Sequence, residues 1–157
     1  MIPDKVKHQL NAHGLAALEF EAGSTPTSAA AAERIGVEVG QIAKSMLLKS
    51  KDDRYFLVVM PGDRKLSNGK LKAVLGVKTR IATPEETEEA TGYRPGGVCP
   101  FGIDPIPVFV DDALAQYDTV YPAAGTDASG VPMTFNQLVR VTGASVAELS
   151  APREPAA

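Results

Sequence analysis

The runs IAKSMLLKS (Ile42–Ser50) and YFLVVM (Tyr55–Met60) are joined by KDDR (Lys51–Arg54). Two apolar segments of strand length separated by four charged residues predict a strand, a turn and a second strand. On the N-terminal side, Asp4–His13 reads as a short helix opened by Pro3 and stopped by Gly14, and Ala17–Glu21 as a short strand. A second helix, Ala29–Ile35, is capped by Thr27 or Ser28 and ended by Gly36. On the C-terminal side, Ser67–Leu75 reads as a helix stopped by Gly76, followed by a strand over Lys78–Ala82. Thr83-Pro84-Glu85-Glu86 starts another helix, with a capping hydroxyl, a proline in the first turn and acids facing the helix dipole. Strands are predicted at Ile106–Val110, Thr119–Tyr121 and Val131–Thr134, and a last helix at Phe135–Val141, ended by Gly143. Strands interleaved with short helices indicate a mixed α/β domain. One domain over residues 1–150 is expected, with a frayed tail at Ala151–Ala157.

A chain of 157 residues, 44% of them hydrophobic, buries about two thirds of its unfolded surface in one core. No apolar run approaches a membrane span and no basic-then-apolar leader opens the chain, so a cytoplasmic protein is expected. The single cysteine, Cys99, excludes an internal disulfide. Net charge is -3, but Lys44–Arg80 holds ten basic residues against three acids, +7, leaving -10 for the remainder. A basic patch on an acidic body suits a phosphate-bearing partner held on one side, although solvated strand ends and helix faces give the same counts.

Alternation along the first strand puts Ile42, Lys44, Met46 and Leu48 on one face. Three of the four are apolar, and an ammonium in such surroundings costs several kcal/mol unless something pairs with it. Lys44 is therefore a candidate functional group, with snorkelling past a sheet edge as the other reading.

Between the polar helix and the next apolar strand lies GYRPGGVCPFG (Gly92–Gly102), eleven residues with four glycines and two prolines. Proline restricts φ and glycine opens φ > 0, so such a loop can aim backbone N–H groups at a ligand. The two histidines, His8 and His13, lie in the first helix, five apart, so a zinc site of His and Cys is not available. No phosphate-binding glycine loop ending in Gly-Lys-Ser/Thr and no dinucleotide fingerprint occurs. A lysine and a ring of main-chain donors remain, a set suited to hydrolysis of an already activated bond through an oxyanion hole. Cys99 reads as a small side chain whose N–H matters more than its thiol, and a cysteine-dependent hydrolase stands behind that reading.

These segments together resemble the YbaK/prolyl-tRNA synthetase-associated editing family from about Thr27 to Leu149. The resemblance rests on Ser28–Gly36, Ile42–Leu48, Val59–Asp63, Lys65-Leu66, Leu71–Gly76, Gly92–Gly102, Pro107–Asp111 and Ala123-Ala124-Gly125. It implies a mixed α+β fold with a central, curved, mixed sheet flanked by short helices. It also implies a trans-editing deacylase that hydrolyses the ester of mischarged tRNA, most often tRNA(Pro) carrying alanine, cysteine or another small amino acid. Lys44 would take the place of the family lysine near the tRNA terminus. The segment Gly96, Gly97, Val98, Cys99 and Pro100 would be the Gly-x-x-x-Pro loop facing the scissile carbonyl. Thr27, Ser28, Ser45, Ala124, Gly125 and Thr126 would contact the substrate. Water would be the nucleophile, assisted by the terminal ribose hydroxyl, with no cofactor and no metal. The implied partners are the acceptor end of mischarged tRNA and a prolyl-tRNA synthetase, with no membrane and no DNA. A non-catalytic module of the same fold that holds tRNA or a synthetase is the alternative. Some relatives carry histidine, serine or asparagine where this chain has Ala123–Thr126, so the amino acid removed does not carry over.

Overall fold

In the computed structural model, which describes residues 1–153, the Lys51–Arg54 turn closes as expected. Ser50 N–H donates to Arg54 O (2.9 Å), Asp53 N–H donates to Ser50 O (3.1 Å), and Asp53 takes the left-handed conformation (φ 62°). From the N-terminus the chain forms α1 (Asp4–Ala12), the two-residue β1 (Leu18–Glu19), α2 (Ser28–Ile35), β2 (Ala43–Ser50), β3 (Tyr55–Pro61) and β4 (Arg64–Leu66). Then come α3 (Asn68–Leu75), β5 (Thr79–Ile81), α4 (Pro84–Thr91) and β6 (Val108–Asp111). The last elements are β7 (Ser129–Gly130), α5 (Phe135–Thr142), β8 (Ser145–Ala147) and β9 (Ser150–Pro152).

The main sheet has the order β5-β2-β3-β6-β8 and is mixed. β2 runs antiparallel to β3, from Ala43 opposite Pro61 to Lys49 opposite Tyr55, while β3, β6 and β8 are parallel to one another. β3 is buried at every position after Tyr55, as a central strand covered on both faces must be. One face carries Leu47, Leu57, Val59, Val108 and Val110 against Val6 and Leu10 of α1 and Leu138 and Val141 of α5. The other carries Leu48, Phe56 and Val58 against Leu71 of α3 and Leu149. Helix ends follow local chemistry. Thr27, Ser67, Thr83 and Thr134 each accept a first-turn N–H, and Gly36, Gly76, Gly92 and Gly143 close in the left-handed region.

Some predicted strands are not strands. Thr119–Tyr121 makes only isolated bridges, Tyr121 with Ile42 and Val120 with Met133, and Val131–Thr134 joins through Met133 and a single bond from Val131 N–H to Pro122 O (2.8 Å). Pro122 and Pro132 interrupt the donor series there, so no ladder extends. The tail also differs from expectation. Ala151 and Pro152 pair with Lys65 and Arg64 as β9 against β4, while residues 154–157 lie outside the described residues. β5 pairs only with Leu48–Ser50 and Tyr121 O takes the Ala43 N–H (3.1 Å), which leaves Lys44–Met46 of β2 as an edge.

Candidate active site

A cavity of about 800 Å³ opens along that edge, within the usual range of ligand sites. Lys44 and Ser45 line it from β2, Thr27 and Ser28 from the start of α2, and Gly96 and Val98 from the glycine-proline loop. The structure thus joins elements that are up to about seventy positions apart in the chain. Backbone groups alternate sides along a strand, and Leu47 O accepts from Ala82 N–H (2.9 Å) on the outer side. Ser45 therefore turns its own N–H and C=O toward the same side, where the cavity lies. Its Oγ is buried and has no hydrogen-bond partner among the described residues. No feature of the sequence singles out this free edge, because it arises from where β5 stops pairing.

Lys44 shares the face of Met46 and Leu48, as alternation requires, and is half-buried. Among the described residues its Nζ makes neither a hydrogen bond nor an ion pair. The neighbouring Lys49 behaves differently: it pairs with Glu86 (3.0 Å), which also holds Arg80 (2.7 Å). Arg80, Thr83 N–H and Lys49 together keep the Glu86 carboxyl well below the usual carboxylate range. Lys44, Asp63 and Arg153 are the charged residues lining the cavity.

Three loops meet over the far wall. Thr25 N–H donates to Asp127 O (2.6 Å), Ser129 N–H donates to Thr25 Oγ1 (3.2 Å), and Ala124 N–H donates to Ser129 Oγ (3.0 Å). Against this frame packs the glycine pair. A Cβ on Gly97 would lie 2.9 Å from Gly125 C and O and from Thr126 Cα, and one on Gly96 would lie 3.2 Å from Pro26 Cα and O. Gly96 is also left-handed (φ 88°), so only glycine meets both demands there.

Of the five loop residues expected at the site, Gly96 and Val98 reach the cavity. Gly97 N–H is committed to Arg94 O (3.0 Å), and Pro100 has no N–H to offer. The N–H groups of Gly96, Val98 and Cys99 have no acceptor among the described residues. Cys99 is wholly buried, its Sγ 3.9 Å from Phe101 O, and burial pushes its thiol up to about 11. A neutral, enclosed thiol is a poor nucleophile. From the 123–126 segment, the cavity wall takes Ala123. Ala124 is fully buried, Gly125 backs onto Pro3 and Tyr93, and Thr126 Oγ1 accepts from Ala128 N–H (3.2 Å). Thr27 spends its hydroxyl on the α2 cap, accepting from Ala30 N–H (3.1 Å).

Helix α1 supports the loop from behind. Lys5 Nζ donates to Thr91 O (2.6 Å) and lies 4.5 Å from the Tyr93 ring centroid. Gln9 accepts from Gly102 N–H (2.7 Å) and donates to Val141 O (2.9 Å). The sequence does not single out Lys5 or Gln9, because such bonds depend on tertiary placement alone. His8 and His13 are exposed and line neither wall. Among the described residues no group of three or more His, Cys, Asp or Glu gathers to hold a metal. No helix among them is long and apolar enough to cross a membrane. Chemically, the cavity offers an unpaired cation, a buried hydroxyl and the uncommitted main-chain N–H groups of Ser45, Gly96 and Val98.

Residues 22–141 match the family model of the aminoacyl-tRNA editing domain. The chain is similar to the uncharacterized protein YwhH of Bacillus subtilis (strain 168), 41% identical over 121 residues, 76% of each chain. It is also similar to a proline–tRNA ligase of Halalkalibacterium halodurans, 36% identical over 95 residues, which are 60% of this chain and 16% of the ligase. The chain thus spans only a small part of that ligase. A solved candidate trans-editing enzyme for prolyl tRNA synthetase superposes with a TM-score of 0.85 at 35% identity, covering 96% of this chain and 99% of the other.

Proposed function

The chain belongs to the aminoacyl-tRNA editing domain family, hydrolases of the ester that joins an amino acid to tRNA, and on that footing we propose its substrate and its working residues. The substrate is tRNA(Pro) carrying a small non-cognate amino acid, and the cavity along the free edge of β2 is where the ester is cut. One observation carries this reading: the unpaired Lys44 and the uncommitted N–H groups of Gly96 and Val98 line one cavity that no thiol or imidazole enters. The similarity to a proline–tRNA ligase and to a candidate trans-editing enzyme for prolyl tRNA synthetase supports the choice of tRNA.

Water attacks the ester carbonyl carbon and the acyl C–O bond breaks. The water's proton passes to the departing ribose oxygen, releasing free amino acid and tRNA with an intact 3′ end. Negative charge develops on the carbonyl oxygen, and main-chain donors fixed by the packed glycines need no reorganisation to meet it. Lys44 positions the terminal nucleotide and adds positive potential beside the ester. Selectivity follows from sieving. A synthetase pocket shaped for proline excludes a smaller side chain by only about 1–3 kcal/mol, so a second cavity must remove what enters.

The test is a panel of Ala-, Cys- and aminobutyryl-tRNA(Pro), followed by release of free amino acid. Hydrolysis of at least one supports the reading. Binding of tRNA with no release from any member replaces it with a non-catalytic module.

A further inference from the structure

A second cavity, of about 310 Å³, adjoins the first, and Lys44, Met46, Ile81 and Arg153 line both. Its floor is apolar, formed by Met46, Leu48, Met60, Leu66 and Leu71. Its rim carries Lys44, Arg64, Lys65, Arg80 and Arg153, and no carboxylate is among the lining residues. Arg80 is occupied by Glu86, but Arg64 is held differently. Its Nε donates to Ser150 Oγ (2.7 Å) and its Nη2 to Ser150 O (3.2 Å). Ser150 Oγ in turn donates to the buried carboxylate of Asp111. A guanidinium fixed through a serine keeps Nη1 free of any acceptor among the described residues, with its orientation set in advance. Lys65 is exposed and pairs with Ala151 across β4 and β9, and that pairing also brings Arg153 to the rim.

We propose that this cleft binds the phosphates of the nucleotides preceding the aminoacylated terminus of the same RNA. Lys44 stands at the junction, so an ester placed beside it sends its amino acid into the larger cavity and the preceding nucleotides into the smaller one. The inference rests on the functional reading above for the identity of the RNA. Arg64, Lys65 and Arg153 are the recognising groups. With no aromatic ring in the lining, contact is to backbone phosphate and is independent of base sequence.

Two measurements on the full chain decide it: KM for deacylation, and binding of an unacylated single-stranded RNA ending in CCA, each across a salt series. The variants are Lys65→Gln with Arg153→Gln, the charge-keeping pair Lys65→Arg with Arg153→Lys, and Lys72→Gln as a control that lines neither cavity. Both neutralised residues are exposed, so folding is retained. The neutral pair is expected to raise KM and weaken RNA binding about tenfold at low salt, and to flatten the log–log salt slope by about 1.4. The charge-keeping pair restores both, and Lys72→Gln changes neither. Unchanged binding and slope in the neutral pair overturn the cleft, as does an equal loss in Lys72→Gln. If no ester is hydrolysed at all, the functional reading fails separately, and the RNA-binding slopes still decide the cleft.

Discussion

Replacing Gly97 with alanine tests the loop by sterics alone, because Gly97 does not occupy the left-handed region. The added Cβ would sit 2.9 Å from three backbone atoms of Gly125 and Thr126. That is about 0.6–1.1 Å inside the optimal separation of non-bonded carbons. No flexible side chain is available to yield, so one of the two loops must move by a comparable distance. Overpacking of this kind costs about 1–3 kcal/mol, which for a chain of this size lowers Tm by roughly 2–12 °C. A displacement near 1 Å beside reacting atoms costs about 10²-fold in rate, similar to the loss of one oxyanion donor. Gly97→Ala is therefore expected to reduce kcat/KM about 100-fold, measured by single-turnover deacylation well below its Tm. Gly69→Ala is the control: nothing lies within 4 Å of the new Cβ, and alanine in helix α3 is expected to stabilise by about 0.5–1 kcal/mol without changing the rate. A Gly97→Ala protein that melts lower yet keeps its rate within threefold refutes the role given to the loop.

Cys99→Ser is expected to keep its activity within about threefold while losing about 1 kcal/mol of stability, since a hydroxyl replaces an enclosed thiol; activity abolished in a folded Cys99→Ser protein revives the cysteine nucleophile. Gln9→Ala, which leaves Gly102 N–H and Val141 O without their partner, is expected to cost about 1–3 kcal/mol and to lower kcat more than it raises KM. Gln9→Glu keeps the acceptor for Gly102 and is expected to recover part of kcat, whereas equal rates in the two variants remove Gln9 as a positioning residue. Burial raises both the Cys99 thiol, up to about 11, and the Tyr93 phenol, so the folded state holds these protons more tightly than the unfolded chain. The thiol's contribution is complete below about pH 9 and is lost as pH rises toward 11, while the phenol's begins to fall only above about pH 10. Urea midpoints at pH 7, 9.5 and 10.5 are expected to fall in that order, and a flat series contradicts the burial.

The hairpin, the capped helices and the glycine-proline loop were legible because each depends on residues within one turn or one strand of each other. Thr83-Pro84-Glu85-Glu86 is complete in four positions, and it formed with its reciprocal Thr83 and Glu86 bonds. Of the three-residue strands, β5 falls within the strand predicted over Lys78–Ala82, whereas β4, β8 and β9 were not legible, since their pairing is set by the rest of the fold. Lys44 was visible as a cation among apolar neighbours. Its position between two cavities was not visible, because both take Arg153, which reaches their rim only through the pairing of β9 with β4 and lies in a segment that reads as tail. The same limit applies to the 123–126 segment. Sequence points to the 124–126 stretch, but hydrogen bonds to Ser129 and contacts with Pro3 turn that stretch away from the cavity and leave Ala123 in its wall.

The most direct measurement is deacylation of mischarged tRNA(Pro) by wild-type protein and by Lys44→Ala, with melting curves for both. Lys44 has no partner among the described residues, so its removal is expected to leave Tm unchanged or slightly raised while lowering the rate at least 100-fold. A Lys44→Ala protein that hydrolyses the ester at the wild-type rate contradicts the account.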